Sequence, residues 1–100
     1  MRSEFTRFVV LLNTIEGVVT SEQLIRDHVA FLRKLDEEGK FLMGGPFTNY
    51  AGGMMVIKAA DLEEAQKISA NDPFVKQGVR TAEVRAWELS CEENNHMGMG

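Results

Sequence analysis

Two short segments of this 100-residue chain, Phe8-Val9-Val10-Leu11-Leu12 and Met54-Met55-Val56-Ile57, are apolar at every position. The first is rich in β-branched and aromatic residues and reads as a strand, with Phe8, Val10 and Leu12 on one face and Val9 and Leu11 on the other. A strand wetted on one side would alternate apolar with polar residues. These two do not, so their sheet must be covered on both faces.

The rest of the chain supplies one cover. Thr20, followed three residues later by Gln23, fits a capping box that opens a helix with Leu24, Phe31, Leu32 and Leu35 inward. His28 stands four residues after Leu24 and four before Leu32, which places it in the inward stripe. Gly39 ends this helix as a left-handed cap residue. A short strand, Lys40-Phe41-Leu42-Met43, is expected to stop at a turn made by Gly44-Gly45-Pro46, and the polar stretch through Gly53 returns the chain into the second apolar segment. Asp61 caps a second helix with Leu62, Ala65 and Ile68 inward. That helix stops before Asp72-Pro73, because a residue preceding proline is pushed out of helical geometry. Phe74 to Gly78 adds a further helical turn, and residues 80–89 form the last strand, with Ala82, Val84 and Ala86 alternating against Thr81, Glu83 and Arg85.

The order β-α-β-β-α-β is the ferredoxin-like α+β arrangement with a four-stranded antiparallel sheet, expected over residues 1–90. Residues 91–100 are polar and glycine-rich and are expected to be disordered. Both helices lie on one face of such a sheet. Covering the second face against a second copy would give a homodimer, a dimeric α+β barrel.

Charge and cysteine content narrow the function classes. Eleven Lys+Arg against fifteen Asp+Glu leave a net charge of -4, with no basic cluster longer than Arg33-Lys34, so nucleic acid is not an expected partner. The apolar run at the amino end is too short to span a bilayer and no signal-peptide pattern precedes it, so the expected location is the cytoplasm, away from membranes. Cys91 has no second cysteine to pair with. Cys91 and His96 lack the third ligand a metal site needs, and no metal or organic cofactor is expected.

Four segments together resemble the YCII-like family of small dimeric α+β barrel proteins, relatives of the muconolactone-isomerase type. They are the opening strand, the helix with His28 followed by Phe31-Leu32, the segment from Gly39 through Gly45-Pro46-Phe47, and Asn71-Asp72-Pro73-Phe74-Val75-Lys76-Gln77-Gly78-Val79 running into Val84-Arg85-Ala86-Trp87. The resemblance implies that His28 and Asp72 form a catalytic pair beside a cleft lined by Gly45 and Pro46. The stretch between Pro46 and Met54 is compact where some relatives carry a longer loop, so pocket shape does not carry over.

Two functions follow. In one, the chain is a small cofactor-independent enzyme of isomerase, lyase or lactone type, with His28 transferring a proton on a small metabolite, Asp72 orienting it, and Phe47 and Phe74 lining the cleft. In the other it is a non-catalytic ligand-binding or accessory domain, in which His28 is a core histidine and Asp72 an Asx-turn residue bonded to local backbone amides. The methionines Met43, Met54 and Met55 read as core filler.

Overall fold

The computed structural model describes residues 4–100. The elements run β1 (Thr6–Thr14), α1 (Glu22–Glu37), β2 (Phe41–Pro46), β3 (Gly53–Ile57), α2 (Leu62–Ala70), α3 (Pro73–Lys76) and β4 (Arg80–Glu88). The strands form one antiparallel sheet in the order β2-β3-β1-β4, which completes the ferredoxin-like α+β unit seen in dimeric α+β barrel proteins.

The register explains the double apolarity of β1 and β3. Phe8, Val10 and Leu12 pair with Ile57, Met55 and Gly53 on one side and with Ala86, Val84 and Ala82 on the other. With Leu35, Ala65 and Ile68 from the helices, this face makes the core. Complete burial of side chains such as Val10 and Ile57 contributes about 1.5–3 kcal/mol each. On the opposite face Val9 meets Val56 and Arg85, while Leu11 meets Met54 and Glu83. Among the described residues no helix covers that face. Its middle is apolar, and its β4 margin carries the ion pair Arg85–Glu83 at 2.7 Å.

Several local expectations are corrected. Ser21, not Thr20, caps α1, its hydroxyl accepting from Leu24 N at 3.1 Å, while Gln23 donates to Asp27. Gly44, Gly45 and Pro46 belong to β2 rather than to a turn; an edge strand tolerates glycine and proline because one side of its backbone has no ladder partner. Met43 and Met54 are exposed, since their register places them on the uncovered face, and only Met55 fills the core. Leu62 also faces solvent.

Two predicted caps hold. Gly39, at φ 73°, closes α1 with Lys40 N donating to Leu35 O and Gly39 N to Asp36 O, a Schellman motif. Asp61 caps α2 by accepting from Glu64 N at 2.8 Å. Beyond β4, residues 92–98 form short turns whose side-chain hydrogen bonds stay within residues 89–97.

Candidate functional site

Asp72 sits where α2 gives way to α3. The following proline keeps its backbone extended, at φ -60° and ψ 127°, so its side chain can fold forward onto the start of α3. There Oδ1 accepts from Phe74 N at 2.9 Å. The same oxygen lies 2.8 Å from Nδ1 of His28, which reaches it from the middle of α1. Both sequence readings of Asp72 are therefore realised at once, as a local cap and as the partner of a distant histidine.

The pair is almost dry. The Asp72 side chain is fully buried and that of His28 is 14% exposed. The second carboxylate oxygen, Oδ2, is buried with no hydrogen-bond partner among the described residues. An ionised Asp72 can only accept, which would put the ring hydrogen on Nδ1 and leave the lone pair on Nε2. Phe74 fixes the plane of the imidazole: the two rings stack with centroids 4.0 Å apart and planes 10° from parallel.

His28 also forms part of the wall of a cavity of about 400 Å³ between α1 and the β2–β3 edge of the sheet. Ile25, Val29 and Leu32 of α1 face it on one side, and the backbone of Gly44, Gly45, Pro46, Gly52 and Gly53 on the other. Bare backbone is required at Gly52, whose φ is 105° and where a Cβ would come within 2.6 Å of Leu12 O. Phe74 and Arg80 complete the polar end with His28 and Thr20.

Of the residues singled out from sequence, His28, Gly45, Pro46 and Phe74 line this cavity and Asp72 stands directly behind His28. Phe47 does not line it. Its amide is drawn to Gly52 O by the 47–52 turn, and its ring packs near Tyr50 instead, at 6.4 Å between centroids. Arg80 also lines the cavity, and the sequence carries a signal for it, since it shares the inward phase of Ala82, Val84 and Ala86. A charged residue at an inward phase at the start of a strand has to be accommodated by something. Among the described residues no cluster of three or more His, Cys, Asp or Glu could hold a metal ion, and no helix is long and apolar enough to cross a membrane.

The profile of the YCII-related domain matches residues 6–88, from the first strand to the last. The chain belongs to the YCII family. Its relative YjpA of Bacillus subtilis (strain 168), itself described as uncharacterized, is 33% identical over 82 residues, covering 82% of this chain and 96% of YjpA. The YCII fold is also that of 5-chloro-2-hydroxyhydroquinone dehydrochlorinase (TftG) from Burkholderia phenoliruptrix AC1100, solved in complex with 2,5-dihydroxybenzoquinone. The TM-score is 0.64 at 25% identity, over 82% of this chain and 93% of that one. Muconolactone isomerase shares the fold at a TM-score of 0.62 and 14% identity, over 86% and 90% of the two chains.

Proposed function

We propose that this YCII protein is a small enzyme in which His28 moves a proton on a compact, largely apolar substrate, in an isomerisation, an elimination or a lactone-type reaction. The observation that carries this reading is the 2.8 Å contact between His28 Nδ1 and Asp72 Oδ1 at the wall of a cavity large enough for a small ring. Nε2 would take a proton from a C–H or O–H acidified by a neighbouring carbonyl. The imidazolium so formed, held at Nδ1 by the Asp72 carboxylate, would return the proton to another atom of the substrate, or to water once a leaving anion has departed. Such a shuttle contributes about a hundred- to ten-thousand-fold, enough for an already activated substrate.

Two further points support chemistry over scaffolding. A cap that served only to start α3 would not need to leave Oδ2 buried and unpaired, and unsatisfied buried polar groups of this kind collect at functional sites. TftG, at 25% identity, is a dehydrochlorinase that takes a small cyclic compound, in keeping with elimination as one of the reaction types. The chain would work as a homodimer joined through the uncovered sheet face, where the cross-strand row Met43, Val56 and Val9 lies beside the pair Met54 and Leu11.

The test is exchange of an activated C–H for deuterium, followed by NMR in D2O with cyclic ketones, lactones and hydroxyhydroquinones as probes. The native protein should accelerate exchange for at least one class, and His28→Gln should lose that acceleration by about a hundredfold or more with its melting temperature little changed. Equal exchange rates in the two proteins would sink the proposal.

A further inference from the structure

The polar end of the cavity holds a group that proton transfer alone does not use. Arg80 opens β4 directly after the turn at Gly78, whose φ of 72° lets Val79 N reach back to Phe74 O at 3.0 Å. That closure brings the Arg80 guanidinium over the Phe74 ring, with its carbon 5.1 Å from the centroid. His28 stacks on the same ring, so Phe74 is shared between the imidazole and the guanidinium. Nη1 is held in place, donating to Thr20 Oγ1 at 3.1 Å and to Val79 O at 2.8 Å. An arginine has five N–H donors, and the hydrogens on Nε and Nη2 have no protein acceptor among the described residues. Among the described residues no carboxylate pairs with it either, although acidic residues outnumber basic ones in the chain.

We propose that Arg80 is an anion anchor of this cavity, and that the molecule bound there is a small, flat, largely apolar compound carrying a carboxylate. This rests on the reading of the cavity as the substrate site and adds the class of compound that fits it. Arg80 is the permanently charged side chain in a wall that, apart from His28 and Thr20, is apolar side chains and glycine backbone. An unpaired guanidinium beside such a surface is matched by a planar anion that accepts two parallel N–H bonds. A carboxylate has that geometry and a single charge. A phosphate would ask for more donors than one arginine and one threonine supply. With His28 and Arg80 both packed against Phe74 and both lining the cavity, a ligand touching both lies beside that ring, its anionic end held while the reacting end faces the imidazole.

The experiment compares benzoate with benzamide, which have the same ring and nearly the same shape but differ in charge, by calorimetric titration of the full chain. The native protein should bind benzoate at least about tenfold more tightly than benzamide. The 15N resonance of Arg80 Nε should move on addition of benzoate, a reading that needs no variant. In Arg80→Gln the preference for benzoate should vanish while benzamide binds as before, and Arg80→Lys should keep part of it. In His28→Gln the preference should remain. Equal affinity for the two probes overturns the proposal, as do benzoate binding that leaves Arg80 Nε unmoved, no benzoate binding at millimolar concentration, or a preference lost in His28→Gln. The anchor and the proton transfer fail separately. A charge preference without deuterium exchange removes the acid–base reading and leaves the anchor, and exchange without a charge preference does the reverse.

Discussion

Phe74 and His28 stack nearly parallel, 4.0 Å between ring centroids, although they come from helices more than forty residues apart in sequence. Phe74 is bonded through its own amide to the carboxylate oxygen that faces His28 Nδ1. One residue of α3 therefore fixes both the tilt of the imidazole and the position of the acid behind it. The ring contributes packing on the order of 0.5–1.5 kcal/mol beyond its burial.

Replacing Phe74 by leucine should separate those contributions. Similar apolar volume keeps the loss of stability below about 1.5 kcal/mol. The His28 ring protons should lose their ring-current shift in the NMR spectrum, and the rate of proton exchange should fall while the fold persists. Phe74→Ala, by contrast, should destabilise the protein by about 3–5 kcal/mol in denaturant titrations.

Asp72→Ala removes a cap and the partner of a nearly buried histidine together, and should lower unfolding free energy by about 1–3 kcal/mol. Asp72→Asn keeps an oxygen that can accept from Phe74 N, so its loss of stability should be smaller. The asparagine no longer balances an imidazolium, and its effect should fall on kcat more than on KM. Equal stability losses in the two variants, with kcat intact in Asp72→Asn, would assign the pair to scaffolding.

Gly52→Ala should be among the most damaging single-methyl changes in the chain. Its positive φ and the 2.6 Å approach of Leu12 O leave no room for a Cβ without shifting backbone. Thermal melts of Gly52→Ala and Gly45→Ala make the comparison, because a Cβ at Gly45 meets nothing within 4 Å. The Gly45 variant should melt close to the native temperature.

Val9→Lys tests the uncovered sheet face. Light scattering at micromolar concentration should return the mass of a dimer for the native chain and of a monomer for the variant, because an unpaired charge in a buried interface is strongly unfavourable. A native monomer would remove the dimer.

Truncation after Ser90 should leave the melting temperature nearly unchanged. The turns beyond it are held by local hydrogen bonds such as Asn94 Nδ2 to Leu89 O, and Met97 and Met99 remain exposed. A fall of more than a few degrees would show that the tail docks on the domain.

Much of the fold was legible because its signals are local and repeated. The two fully apolar strands, the glycine closing α1, the Asp61 cap and the break at Asp72-Pro73 each follow from backbone preference or alternation. The cap at Ser21 was missed because neighbouring Thr20 offers the same hydroxyl chemistry, and what separates them is Thr20's contact with Arg80, sixty residues away. Gly44-Gly45-Pro46 resembles a turn by composition, yet pairing with β3 draws it into an edge strand. In the site, helix periodicity supplied His28 and turn chemistry supplied Asp72, but their meeting is tertiary and entered through family resemblance. Phe47 failed as a lining residue because the turn after Pro46 carries it away, a matter of loop path rather than pattern.

The contact between His28 and Asp72 spans 44 positions and joins the first helix to the segment just before the last strand. Neither half of the chain holds a working fragment of it, and no hairpin or helix could preserve it alone. Fraying of α1 or slippage of α3 would be enough to separate the pair with the sheet still paired. The proposed proton transfer should therefore decline ahead of bulk unfolding in mild denaturant, and the imidazole should serve as an early reporter of strain in the domain.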